Sequence, residues 1–171
     1  MRSEGKPFRA FTIACFAVVA MAMFAAPASA QWRVGAFVGF EHDSGWDEFL
    51  VLGADARKPT DKYNLELNPR FTWFLREDMT RFQVDVNVIK RLDVAGTGKI
   101  EPYIGTGVAF ERISFDFPGA DSESAFGFNY ILGAALKSSG KFQPFAQFVY
   151  SVLNDSPNNA VISAGVHWKL K

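Results

Sequence analysis

Ile100-Glu101-Pro102-Tyr103-Ile104-Gly105-Thr106-Gly107-Val108-Ala109-Phe110 is the stretch that decides how the chain is read. Its even positions are apolar apart from Thr106, while its odd positions carry Glu, Tyr, Gly, Gly and Ala. Side chains sort this way only on an extended strand, where successive residues point to opposite faces. A helical repeat would scatter both sets around a cylinder.

The same alternation recurs on both sides of that stretch, giving eight segments in all. Upstream, Trp32, Val34, Ala36, Val38 and Phe40 oppose Arg33, Gly35, Phe37, Gly39 and Glu41. Leu50, Leu52, Ala54 and Ala56 oppose Val51, Gly53, Asp55 and Arg57. The third segment reads as the longest, with Tyr63, Leu65, Leu67, Pro69, Phe71, Trp73 and Leu75 opposite Asn64, Glu66, Asn68, Arg70, Thr72, Phe74 and Arg76. Phe82, Val84, Val86 and Val88 then oppose Arg81, Gln83, Asp85, Asn87 and Ile89. Downstream, segments 126–137, 142–152 and 160–170 repeat the pattern. Polar connections at 41–48, 113–123 and 153–159 and a short turn at 76–79 alternate with joints at 58–62, 92–99 and 138–141. The expected fold is all-β: an eight-stranded antiparallel up-and-down transmembrane β-barrel. Pro102 and Pro144 lie near strand starts, but Pro69 falls mid-strand, where it needs either a bulge or a later start to the strand.

Residues 1–30 read as a cleavable export signal. Arg2, Lys6 and Arg9 precede an apolar run that ends in Pro27-Ala28-Ser29-Ala30, with cleavage expected after Ala30. A retained membrane helix is the rival, but spanning takes ~20 apolar residues, and this run is shorter. The one cysteine, Cys15, lies inside the run, so residues 31–171 hold neither disulfide nor thiolate metal site. Eighteen basic residues balance eighteen acidic ones, so no basic field points to nucleic acid. Residues 31–171 are expected to form one domain.

Alternation alone leaves open which face looks inward. A soluble barrel that binds a hydrophobic ligand turns its apolar face into a cavity; a membrane barrel turns it to lipid. Three features favour lipid. An eight-stranded barrel is only just wide enough for side chains to fill it, and the apolar face carries too many rings for that space, whereas the opposite face carries many glycines. The polar face also interleaves opposite charges: Arg33, Arg57, Arg70, Arg76 and Arg81 with Glu41, Asp55, Glu66, Asp85, Glu101 and Glu111. In a closed lumen these are expected to satisfy one another, with Arg70 and Asp85 diagonal neighbours if Arg76 lies near Arg81. Finally, Trp32, Phe40, Tyr63, Trp73, Phe110, Phe126, Phe142 and Trp168 lie near strand ends, as aromatic girdles do at lipid–water boundaries.

These residues resemble the small outer-membrane β-barrel proteins of the OmpA-transmembrane, OmpX and opacity type. Segment 101–110 looks like that family's Pro-Tyr-x-Gly-x-Gly strand, and Gln143-Pro144-Phe145 like its later counterpart. Ser163, Gly165, Trp168 and Leu170 are similar to the terminal signal read by the barrel-assembly machinery. Those barrels commonly finish on phenylalanine, whereas this chain ends Leu170-Lys171. The resemblance implies insertion in the outer membrane, contact with lipid and lipopolysaccharide, and assembly by that machinery, but no single activity.

Catalysis on this scaffold would mean lipid A modification. Deacylases of this shape resemble one another in a His-x-Ser-Asn segment, but the comparable Tyr150-Ser151-Val152 lacks the histidine. His167 with Ser163 is the other pair to weigh, and a histidine satisfied by a lumen carboxylate is the plainer reading. His42 falls in the first loop. Gly96-Thr97-Gly98-Lys99 lacks the Ser/Thr and the helix of a phosphate loop and reads as a turn. Asp116, Asp121 and Glu123 match no calcium-loop spacing. The expectation is a non-enzymatic outer-membrane barrel with a structural or surface-interaction role, without cofactor or metal, whose lumen is filled by charged side chains.

Overall fold

A computed structural model describes residues 32–43, 46–60, 63–77, 79–94, 96, 98–115 and 122–170. The chain divides into two units, Met1–Ala30 and Gln31–Lys171. The expected export signal lies outside the described residues, as do Asp116 and Asp121.

The second unit is built from eight strands: β1 (Arg33–Asp43), β2 (Trp46–Pro59), β3 (Leu65–Phe74), β4 (Met79–Arg91), β5 (Ile100–Phe115), β6 (Glu123–Leu136), β7 (Phe142–Leu153) and β8 (Asn159–Lys169). Each pairs antiparallel with the next, and β1 pairs with β8, so the sheet closes without a free edge. The start of β1 and the end of β8 lie at one rim, together with the β2–β3, β4–β5 and β6–β7 connections. That is the near rim; the other four hairpins form the far rim.

The third strand corrects the sequence reading. It is the shortest of the eight, ten residues from Leu65 to Phe74. Tyr63 and Asn64 leave the strand because both adopt a left-handed backbone, at φ 62° and 54°, which side-chain alternation cannot reveal. In contrast, β1 and β2 run further than expected: Asp43 pairs with Trp46, so the expected loop at 41–48 shrinks to a tight hairpin. β5 likewise continues to Phe115.

Pro69 is accommodated without a bulge. Asp55 pairs with Arg70 and Lys58 with Leu67, so the β2–β3 register is the same on both sides of it. The Leu75 to Leu50 and Thr60 to Leu65 hydrogen bonds set the phase of this ladder, and by that phase residue 69 would donate to the Ala56 carbonyl. Proline has no donor. The Asn68 side-chain Nδ2 takes the role instead, donating to Ala56 O at 2.9 Å. Pro102 sits where the β4–β5 ladder runs out, and Pro144 beyond the first β6–β7 pair, Ala135–Phe145, so neither interrupts pairing.

Candidate functional site

Closing eight alternating strands gives the barrel two unlike surfaces. Outward-facing positions remain exposed although they are large and apolar: Ile162 is 66 % exposed, Phe126 and Phe128 61 % each and Val86 50 %. Two aromatic clusters lie near the two rims. Phe142 and Trp168, paired across β7 and β8, have ring centroids 5.1 Å apart near the near rim. Phe110 and Phe126, paired across β5 and β6, lie 5.0 Å apart toward the far rim, where Phe40 and Trp73 are also exposed. Trp32 is half-buried beside the Lys58 ammonium. Tyr63 is exposed, but on the turn before β3 rather than on the strand.

The opposite face is shielded. Arg33, Glu41, Asp55, Arg57, Glu66, Arg70, Arg81, Asp85 and Glu111 are buried, and Glu101 is half-buried. Near the far rim, Glu41 takes Arg76 at 3.0 Å and Arg81 at 2.7 Å, and Arg81 also reaches Glu111 at 2.8 Å. At the near rim Arg33 bonds Glu66, while Arg91 spans Glu66 at 2.7 Å and Glu101 at 2.5 Å. Arg57 lies between Asp55 (3.7 Å) and Glu66 (4.0 Å). Arg91 falls outside the charge set expected from the sequence because β4 runs two residues past Ile89, where the sequence reading ends the segment.

Arg70 and Asp85 differ from expectation. They are directly opposite rather than diagonal, because Phe74, not Arg76, faces Arg81. No hydrogen bond to the Arg70 guanidinium is present among the described residues; instead it lies 4.2 Å from the centroid of the Phe37 ring. The device repeats along the interior. Arg57 lies over Tyr103 at 4.4 Å, Arg81 over Phe74 at 4.3 Å and Arg76 over Phe49 at 3.8 Å. A guanidinium on a ring face keeps a favourable contact without water. A charge network alone is therefore not the whole interior: Phe37, Ile89, Tyr103, Ile131, Phe145 and Val149 form a buried apolar cluster within it.

The inner glycines make that cluster possible. A Cβ at Gly133 would run into the Tyr103 ring that pairs with it, and one at Gly53 into the ring of Phe37. Between the charged ends runs a chain of amides and hydroxyls. Gln83 donates to Asp85 (2.8 Å) and Ser151 (3.1 Å), Ser151 to Asn129 (2.8 Å), and Asn129 to Asn87 (3.1 Å). These neutral residues share the alternation phase of the charges, and that phase is the signal by which the sequence could have shown them as partners.

His167 faces inward, 2.9 Å from Asp55 and stacked on Phe145 with centroids 4.1 Å apart. Ser163, four residues along the same strand, is ~13 Å away at the rise of an extended chain, which is too far for a nucleophile and its base. Ser151 is likewise inside, held by Asn129 and Gln83. Of the expected terminal signal, Ser163 is buried, Gly165 half-buried, and Trp168 and Leu170 exposed, all on or just past the closing strand. Among the described residues no cluster of His, Cys, Asp and Glu is arranged to hold a metal ion.

No protein-family model matches the sequence, and no curated protein sequence matches it. Solved structures do. The N-terminal β-barrel domain of OprF from Pseudomonas aeruginosa superposes with a TM-score of 0.63 at 12 % identity, over 83 % of this chain and 100 % of that one. Neisserial surface protein A gives 0.65 at 16 % identity, over 82 % and 97 %. The fold is that of the small outer-membrane barrels. Ail, the attachment invasion locus protein of Yersinia pestis, is similar too, with a TM-score of 0.56 at 14 % identity over 82 % and 97 %. At such identities an outer-membrane barrel fold is what is shared; no site residue is carried over with it.

Proposed function

We propose that this chain is an integral outer-membrane β-barrel protein with a structural or surface-interaction role, exported by its first thirty residues and without enzymatic activity. The observation that carries the reading is the exterior. Leu52, Val86, Val108, Phe128, Leu132 and Ile162 are all more than two-fifths exposed, forming an apolar surface far larger than a water-facing monomer tolerates. Every strand has at least ten residues, enough to cross a bilayer when tilted. The aromatic clusters near the two rims fit lipid–water boundaries.

A soluble carrier of hydrophobic ligands would need an open apolar cavity inside and its ions outside, whereas here buried arginines and carboxylates share a packed interior with a few rings and most of the large apolar side chains face out. The near rim, with the start of β1 and the end of β8, faces the periplasm on this reading, and the far rim faces lipopolysaccharide. Ser163, Gly165, Trp168 and Leu170 would then present the closing strand to the barrel-assembly machinery. Ail, which bears the name attachment invasion locus protein and was solved with the heparin analogue sucrose octasulfate, illustrates a surface-interaction role on this fold.

The test is fractionation combined with a heat shift. The full chain is expected in the detergent-soluble outer-membrane fraction, with a gel mobility in detergent that changes on boiling. Recovery from the periplasmic extract without detergent would overturn the reading. A sharper version places a cation on the outer face. Val86→Arg should cost ~2–4 kcal/mol of folding stability in vesicles at mid-bilayer depth, while Val86→Leu should be neutral. No difference between the two would mean that this face does not meet lipid.

A further inference from the structure

The near rim holds a feature that barrel closure does not require. A vestibule of about 640 Å³ opens there, lined by the cations Arg33, Arg91, Lys99, Lys137 and Lys169, with Glu101 as the sole carboxylate among the described residues that line it. Its floor is closed: Arg33 donates to Gln143 at 2.9 Å, and Gln143 to Glu101 at 2.9 Å. Glu66 and Glu101 engage both arginines, so the lysines carry the uncompensated charge. Lys99 and Lys137 have no side-chain ion pair or hydrogen bond among the described residues. They also face each other, since the Lys137 amide donates to the Lys99 carbonyl at 2.6 Å. Lys169 and Lys141 repeat the arrangement across β7 and β8, at 2.9 Å. Like charges directly opposite on neighbouring strands destabilise a sheet. Two such pairs at one rim, three of their four lysines lining one concavity, are a cost that the fold itself does not explain. The Lys169 ammonium is moreover anchored by the Ser138 carbonyl at 2.8 Å, at the edge of the vestibule.

We propose that this vestibule binds a phosphate group. A compact dianion offsets more than one of the lysines at once, and its several acceptor oxygens suit ammonium donors together with the Ser138 and Ser139 hydroxyls that also line the space. A single carboxylate would leave most of the lysine charge uncompensated, and an apolar ligand has no surface to meet. The phosphate has two sources, a soluble phosphate monoester or the monoester headgroup of a phospholipid in the adjoining leaflet. Phosphate binding requires only the closed barrel, whereas the phospholipid source rests on the membrane reading, so a failure of that reading would remove the second source and leave the first.

The experiment uses the full chain folded in non-ionic detergent and titrated calorimetrically with inorganic pyrophosphate at about 20 mM salt and again at about 150 mM, where screening is stronger. Saturable one-to-one binding is expected, weaker in the higher salt. Lys99→Gln and Lys137→Gln should each weaken it about ten-fold, the value of one charge-assisted hydrogen bond. Lys90→Gln removes an exposed cation near the same rim but outside the vestibule and should change nothing. Phosphatidic acid, whose headgroup is a phosphate monoester, in phosphatidylcholine nanodiscs separates the sources. Its competition with pyrophosphate assigns the site to a lipid headgroup, and pyrophosphate binding without competition assigns it to a soluble ester. Absence of saturable binding by both probes, or an equal loss in Lys90→Gln, would overturn the proposal.

Discussion

Arg70 and Arg81 are both shielded from water, at 3 % and 2 % exposure, yet they are held by different means. Arg81 bridges Glu41 and Glu111; its removal would leave Glu41 to Arg76 and strip buried Glu111 of its only ion pair among the described residues, with Ser156 and Asn159 as its remaining partners. Breaking a buried pair in this way costs about 3–5 kcal/mol. Arg70 depends on the Phe37 ring and on longer-range attraction, while the nearest acids keep other partners: Asp55 has His167 and Asn68, and Asp85 has Gln83. Arg81→Met should therefore destabilise the folded barrel much more than Arg70→Met, which keeps most of the side-chain volume over the ring. Urea unfolding in vesicles, followed by the fraction of heat-shifted band, reads both values. Equal losses would mean that Arg70 is held by bonds of the same strength as those on Arg81.

At the scale of the element, β3 shows how far alternation can be read. The phase of every strand was legible, because one face of a closed barrel must be apolar and the other shielded, and a slip of one residue would exchange them. The ends were not legible. Tyr63 and Asn64 continue the alternation in sequence but turn in space, while Trp46 and Ser114 look like loop residues and still pair. The interior was half legible. The charged residues stood out, and phase put Phe37, Tyr103 and Phe145 on the same face, but their packing into one apolar cluster depends on the glycines the register sets opposite them. Pro69 could be flagged, but its remedy could not, because Asn68 acts through a side chain whose direction only the fold fixes. That remedy is testable. Asn68→Val leaves the Ala56 carbonyl without a donor and should cost about 1–3 kcal/mol. Pro69→Val restores a main-chain donor, so adding it to Asn68→Val should recover much of the loss. Strict additivity in the double-mutant cycle would show that Asn68 is not substituting for the missing amide.

For the molecule as a whole, the decisive contacts are those that cross the lumen rather than run around the wall. Arg57 of β2 donates to the Tyr103 hydroxyl of β5 at 2.9 Å, and that hydroxyl donates to Gln147 of β7 at 3.1 Å. Arg81 of β4 likewise reaches Glu41 of β1. Strands that never pair are tied together at more than one level, with the apolar cluster packed between the levels. Ions crossing this interior would have to break several buried bonds at once, each costly to leave unmade in a water-poor space. The full chain in a planar bilayer should therefore give no steady conductance. Arg57→Gly combined with Tyr103→Gly removes the bulkiest crossing while leaving the wall intact, because neither side chain contributes to the strand ladders. Discrete current steps are expected from that double variant, provided its heat-shifted band shows that it still folds. Steady current through the unaltered chain would mean that the crossing bonds open readily and that the interior is a channel rather than a core.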